Sequence, residues 1–402
     1  MSARLLLFTG KGGVGKTTLA AATATALAAA GRKALVVSTD PAHSLGDAFG
    51  VPLSGHVEEV DGAGSSGVLH AVQVDPRALV DDAWRDLREH LRTVLAGAGV
   101  DELDAEELTV LPGVEELLAL SEVRRLAGGG PWDVVVVDCG PTAETLRLLA
   151  LPEAFASYLE RLFPTHRRVV RGLLAGVAGS AAVEKWDATA DALGRLAEEL
   201  EQLRELLTSP TTSVRLVLTP ERVVAAETRR TVTALALQGI RVDGVVANRV
   251  VPDPGDDRGP AAGWLRTRRA EQDAVLAELA DLGSVRAVGH RAAEPVGTTA
   301  LLDLAQGLYQ GRDPLDGVAD DRPPLTVERT GDQEYTLRLA LPVGDSALDL
   351  ARVGDDLAVT VDGRRRLVAL PSLLQRCLVT GAELDDTGLA VRFAPDPDLW
   401  MR

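Results

Sequence analysis

Arg4 to Thr18 reads RLLLFTGKGGVGKTT. A short apolar run, Leu5 to Phe8, passes without a break into Gly10, Lys11, Gly12, Gly13, Val14, Gly15, Lys16 and Thr17, which fits G-x-x-x-x-G-K-[ST] at every position. Glycines let the backbone wind around an anion with its N–H groups pointing inward. Lys16 adds a point charge for the β- and γ-phosphates, and Thr17 offers a hydroxyl to Mg²⁺. The Ala-rich segment from Leu19 to Ala30 reads as a helix whose N-terminal dipole favours the same anion. The stretch therefore predicts strand, phosphate-binding loop and helix in succession.

Working outward, Ala34 to Ser38 (ALVVS) reads as a buried strand running into Thr39, Asp40 and Pro41. Asp40 has two readings, a turn cap before proline or a residue of the site that forms at a strand end. Trp132 to Asp138 (WDVVVVD) reads as a strand buried on both faces. Closed by an acid, it has the Walker-B arrangement, in which the Asp138 carboxylate supports Mg²⁺ through its waters. The rhythm continues with strands at Val214 to Leu218, Asp243 to Ala247 and Val285 to Val288, and helices at Ala225 to Leu237, Ala262 to Leu282 and Thr298 to Tyr309.

Two stretches break this rhythm. Residues 75–127 and 155–210 read as helical insertions: Val80, Trp84, Leu87, Leu91 and Val94 form one apolar stripe, and Leu193, Leu196, Leu200, Leu203 and Leu207 another. Arg167 to Gly179 is apolar but glycine-rich, a poor helix core. Residues 313–324 turn to Asp, Pro, Gly and Arg and read as a linker. Beyond it the period changes to two. Tyr335, Leu337, Leu339 and Leu341, then Leu357, Val359 and Val361, then Leu389, Val391 and Phe393 alternate with other residues, which predicts a small all-β sandwich over 325–402.

Composition narrows the partners. A formal charge of -17 disfavours nucleic acid and anionic lipid, whose binding rests on clustered Lys and Arg. Cys139 and Cys377 are the only cysteines, so no C-x-x-C zinc site and no disulfide framework is expected, and a bridging iron–sulphur cluster is disfavoured. Four apolar residues before the loop are too few for a signal-peptide core, and Leu173 to Val183 is too short to span a bilayer. A cytoplasmic location without stable membrane insertion fits these features.

Taken together, GKGGVGKTT, STDPAHSLGDAF, VVVVDCGPTAETLRLL, LTPERVVAAETRR and ANRVVP resemble the ordered motifs of the ArsA family, the arsenite-pump ATPases and their relatives that target tail-anchored proteins. The LALP and LVALPSLL phrases of the terminal segment resemble the α-crystallin-like domain of some bacterial members. The resemblance implies an ArsA-like P-loop ATPase domain over 1–312: a mostly parallel P-loop NTPase sheet with a helical insertion subdomain, followed by the small β-sandwich. It also implies a homodimer that hydrolyses Mg·ATP, in which Lys11 of the K-G-G-x-G-K-T pattern reaches the facing subunit's nucleotide. By the same resemblance Asp40 positions or activates the attacking water, Asp138 belongs to switch II and supports Mg²⁺ together with Thr17. Nucleotide contacts are then Gly12, Gly13, Val14, Gly15, Lys16, Thr17, Thr18, Glu227, Asn248 and Pro295, with the adenine pocket between Asn248 and the Glu294 to Gly297 loop.

Three departures stand out. Glu144 replaces a histidine in switch II, the arsenite-binding cysteines are absent, and Met1 and Met401 are the only methionines available to a client groove. The expected function is thus an ATPase whose nucleotide-driven closure reshapes a helical subdomain around a hydrophobic protein or peptide client. The sequence also admits two alternatives: a ParA- or MinD-like positioning ATPase, and a holdase acting through the α-crystallin-like domain.

Overall fold

The four consecutive valines before Asp138 lie in the middle of an eight-stranded sheet, fully buried on both faces. The structure, a computed structural model, describes residues 3–40, 44–61, 67–75, 114–140, 198–199, 201–316, 325–331, 333–339, 348–361, 364–385 and 388–397. In chain order the strands of this sheet are β1 (Arg4–Thr9), β2 (Lys33–Ser38), β3 (Glu58–Glu59), β4 (Val68–Gln73), β5 (Val134–Asp138), β6 (Thr212–Leu218), β7 (Val242–Val250) and β8 (Val285–Gly289). They lie side by side as β3-β4-β2-β5-β1-β6-β7-β8, and only β3 with β4 is antiparallel.

Successive side chains of a strand point to opposite faces, and the core divides accordingly. Leu5, Leu7, Val135 and Val137 pack on one side, and Leu6, Phe8, Val134 and Val136 on the other. The second face is covered by helix α1 (Lys16–Ala29), which contributes Leu19, Ala20, Ala24 and Leu27 to its cluster. Helix α2 (Ser44–Phe49) also lies on this side. The first face carries helix α3 (Val114–Gly129) through Leu120, Val123 and Leu126, and residues 201–208 through Leu203 and Leu207. The described ends of the two stretches read as insertions thus belong to the layer that covers the sheet. The Val80 to Val94 stripe, Leu193, Leu196 and Leu200, and the Arg167 to Gly179 segment lie outside the described residues.

Helices α4 (Arg222–Leu237), α5 (Pro260–Glu278) and α6 (Thr298–Tyr309) complete this unit close to their expected bounds. Strand β4 is, with β3 and α2, an element the sequence pattern did not reveal. Its run VLHAVQ is cut by His70 and Gln73, so neither alternation nor an unbroken apolar stretch marks it, yet Leu69, Ala71 and Val72 are buried beside β2.

One polar network crosses this core. Arg215 on β6 is fully buried, donates to both Asp243 carboxylate oxygens at 3.0 and 2.8 Å, and reaches the Tyr309 hydroxyl at 2.8 Å and the Pro314 carbonyl at 3.0 Å. The Tyr309 hydroxyl in turn lies 2.6 Å from Thr23 Oγ1, tying α6 to α1. Breaking a buried pair leaves an uncompensated charge. Asp243→Ala is expected to lower stability by about 3–5 kcal/mol in denaturant unfolding, because the Arg215 guanidinium loses its counter-charge in a dry site.

The alternating segment forms two antiparallel sheets. One, ordered β14-β15-β10-β9, contains β9 (Leu325–Arg329), β10 (Tyr335–Leu339), β14 (Cys377–Asp385) and β15 (Gly388–Pro395). The other is β11 (Leu348–Val353), β12 (Asp356–Val361) and β13 (Arg364–Ala369) in sequence order. Leu337, Leu339, Leu357, Val359, Val361, Leu389, Val391 and Phe393 all bury between them, which is the period-two face read as a core. Leu237, at the end of α4, joins the same buried cluster.

Candidate nucleotide-binding site

The polar residues singled out in the sequence gather at the C-terminal ends of β1, β2, β5 and β7, where ligands bind in open α/β sheets. The loop between β1 and α1 needs its glycines. Gly15 has φ 93°, and a Cβ there would strike the Asn248 side-chain amide; Gly10 has φ 151°, and a Cβ there would strike the Val217 carbonyl. Gly15 is also the N-cap of α1 and, lacking a side chain, offers no cap hydrogen bond of its own, which leaves the first N–H groups of the helix facing the loop as a site for an anion.

Lys16 is buried to 6 % exposure, and its Nζ donates to the Lys11 carbonyl at 3.4 Å across the loop. Thr17 Oγ1 lies 3.0 Å from Ser44 Oγ on α2, so two hydroxyls meet at the mouth of the loop. Gly12 and Gly13 are exposed, Val14 is buried and Thr18 is half-buried. Asn248 reaches the loop from β7, donating from Nδ2 to the Val14 carbonyl at 2.8 Å.

The two acids are joined through a serine. Ser38 Oγ donates to Asp138 Oδ2 at 3.1 Å and accepts the Asp40 N–H at 3.3 Å, while Thr39 donates its N–H to the Asp138 carbonyl at 2.9 Å. Asp138 is fully buried, and its Oδ1 meets no described hydrogen-bond donor. Burial pushes its carboxyl up to about 6, against the pull of the Thr17 and Ser38 hydroxyls and the Lys16 charge. A buried carboxylate oxygen that no described donor occupies, near the Thr17 hydroxyl, is the hard-oxygen donor set that suits a magnesium ion and its waters. The residues present therefore fit that group.

Lys11 Nζ lies 3.7 Å from Glu227 Oε2 on α4, with both side chains about half exposed, 50 % and 47 %. The structure thus brings together Lys11, Lys16, Thr17, Asp40, Asp138, Asn248 and Glu227. Pro295 sits on the loop between β8 and α6, which Gly297 ties to the Ala48 carbonyl at 2.9 Å. No hydrogen bond joins that loop to Asn248 among the described residues. Ser38, the hinge between the acids, is marked in the sequence only as a hydroxyl closing an otherwise apolar strand. Glu144 and the rest of the segment after Gly140 lie outside the described residues.

A parallel sheet with a glycine-rich loop, a lysine at the helix start and an acid closing the neighbouring strand defines a P-loop nucleotide hydrolase. Residues 3–310 match the ArsA family described as anion-transporting ATPases, and residues 332–393 match the HSP20-like domain found in ArsA proteins. The chain belongs to this ATPase family and is an ATPase. It is 42 % identical to protein Rv2184c of Mycobacterium tuberculosis, over 99 % of this chain and 97 % of that one. It is 34 % identical to a Chlorobaculum tepidum protein named for arsenical pump-driving ATPase activity, over 95 % and 93 % of the two chains. It is 29 % identical to ATPase GET3C of Arabidopsis thaliana, over 67 % and 72 %. Among the described residues no helix is long and apolar enough to cross a membrane.

Proposed function

We propose that this ATPase works as a homodimer on Mg·ATP, each subunit's Lys11 reaching the nucleotide held by the other. Closure of the dimer reshapes helices drawn from residues 75–127 and 155–210, which hold or release an apolar protein or peptide client in the cytoplasm. The observation that carries this reading is the contrast between the two lysines of one loop. Lys16 is buried against the loop backbone, while Lys11 projects to the surface and pairs with an equally exposed carboxylate at 3.7 Å. Such an exposed pair contributes about 0–1 kcal/mol, so Lys11 leaves Glu227 at little cost when a phosphate is presented from outside.

Two apolar side chains support a covered face. Val223, one turn before Glu227 on α4, is 71 % exposed, and Trp264 on α5 is 63 % exposed; Arg268 of α5 bonds Glu221 at the start of α4 at 2.8 Å. Within the site, Lys16 and the helix N-terminus hold the phosphates, Thr17 and Asp138 hold the metal with its waters, and Asp40 orients the attacking water. Magnesium, when bound, offsets charge on the β- and γ-phosphates. With its two cysteines far apart in sequence, the chain is read as working without zinc or an iron–sulphur cluster, and its acidity as excluding nucleic acid.

Lys11→Ala tests the reading. The variant is expected to bind Mg·ATP within about threefold of wild type but to lose at least tenfold in turnover, since stabilisation of transferring charge from a facing subunit acts mainly in the transition state. Sedimentation with ADP and aluminium fluoride should show wild type closing into a dimer and the variant failing to. A fully active monomer carrying Lys11→Ala sinks the proposal.

A further inference from the structure

Strand β7 breaks step where it reaches the phosphate-binding loop. Ala247 pairs with Ala287 and Val250 with Gly289, so Asn248 and Arg249 together oppose the single residue Val288. Two residues against one make a bulge, a device that re-aims a side chain and recurs beside active sites. Arg249 adopts φ 59° there, a left-handed conformation that disfavours a residue with a Cβ. Strain of this kind persists only where surrounding structure holds it.

Helix α5 supplies that hold. Gln272, 3 % exposed, accepts the Val251 N–H at Oε1 (2.8 Å) and donates from Nε2 to the Arg249 carbonyl (3.3 Å). Since a backbone N–H can only donate and a carbonyl can only accept, both ends of the carboxamide are fixed. The Val251 carbonyl is in turn bonded by Arg269 at 3.1 Å, one helical turn earlier on α5. On the other side of the bulge, the Arg249 N–H donates to Asn248 Oδ1 at 2.9 Å, which turns Asn248 Nδ2 onto the Val14 carbonyl of the loop at 2.8 Å. One continuous chain of hydrogen bonds thus runs from α5 through the bulge to the phosphate-binding loop. In α5 the position belongs to a stripe with Val275 and Leu279, both buried, where an apolar residue would serve packing alone.

We propose that Gln272 is a positioning residue for nucleotide binding: by clamping the β7 bulge it holds the Asn248 carboxamide in register with the phosphate-binding loop. The proposal rests on the reading of Asn248 as a nucleotide contact. Gln272→Met keeps the volume and removes both hydrogen bonds. Its dissociation constant for Mg·ATP rises about tenfold, the scale of one lost positioning network, while kcat at saturating ATP stays within about twofold. Adding Arg249→Gly recovers most of that affinity, because glycine adopts the left-handed conformation without a clamp. A purely structural glutamine predicts a lowered melting temperature with no such recovery.

Affinity unchanged in folded Gln272→Met, or an equal loss in the Arg249→Gly background, overturns the proposal. If Gln272→Met does not fold, Gln272→Asn, which keeps the amide but shortens its reach, takes its place. The wild-type titration separates the two readings. Failure of wild type to bind Mg·ATP refutes the nucleotide reading, and the Asn248 side-chain amide resonance of the free protein then decides the clamp. That resonance shifts in the Gln272 variant and returns in the double variant if the clamp exists, and stays put in both if it does not.

Discussion

Asp40→Asn is expected to bind Mg·ATP within about threefold of wild type and to lose about 10²–10³-fold in turnover, the range set by removing a group that orients or deprotonates the attacking water. Asp40 stands at the end of β2, where its N–H is held by Ser38 Oγ at 3.3 Å and the same oxygen donates to Asp138 at 3.1 Å. Asparagine keeps the backbone contact and the shape while removing the negative charge and the proton-accepting oxygen. Binding survives because the phosphates are held by Lys16 and the loop N–H groups, which the change leaves alone. Single-turnover phosphate release measured beside calorimetric nucleotide binding separates the two effects. Hydrolysis at the wild-type rate would remove Asp40 from the mechanism.

Asp138→Asn is expected to move activity and stability in opposite directions. Magnesium-dependent hydrolysis falls by about 10²-fold or more, since the charged oxygen that supports the metal and its waters becomes a neutral amide. Stability of the free protein rises, because the native carboxyl is fully buried, one of its oxygens meets no hydrogen-bond donor among the described residues, and burial pushes it up to about 6 from its ordinary 3.8. The sign follows from proton linkage. A carboxyl whose folded value is raised binds more protons folded than unfolded, so its ionisation opposes folding, and stability falls as pH climbs from about 4 to about 6 and then levels. A shift of that size corresponds to about 3 kcal/mol at neutral pH. Urea unfolding without nucleotide between pH 4 and pH 8 should therefore show a downward slope in wild type that Asp138→Asn lacks. Equal stability of the two proteins across that range would show that the buried charge carries no penalty.

Much of the fold was legible because the deciding patterns are local. The step from Leu5–Phe8 into Gly10–Thr17, the valines before Asp138 and the alternation in Leu357, Val359 and Val361 each bury the faces their periods imply. β4 was hidden because His70 and Gln73 interrupt its apolar run while neighbouring strands supply the burial. Ser38 and Gln272 were hidden for a different reason: a hydroxyl or an amide gains a role only from the partner it meets, 100 residues away for Ser38 and Asp138.

By itself, then, the sequence determined the phosphate-binding loop, the acid that closes β5 and the acid that follows β2, and the change of period between an α/β unit and a β-sandwich. These follow from backbone geometry and side-chain period, which act over a few residues. Only the tertiary structure decided that β5 lies between β1 and β2, so that Asp138 meets Ser38 and stands in the field of Lys16. It also decided that Lys16 is buried while Lys11 faces outward, and that Gln272 clamps the bulge carrying Asn248. Strand order and bulge register are set by which surfaces the crossovers bring together, and no local pattern encodes that choice.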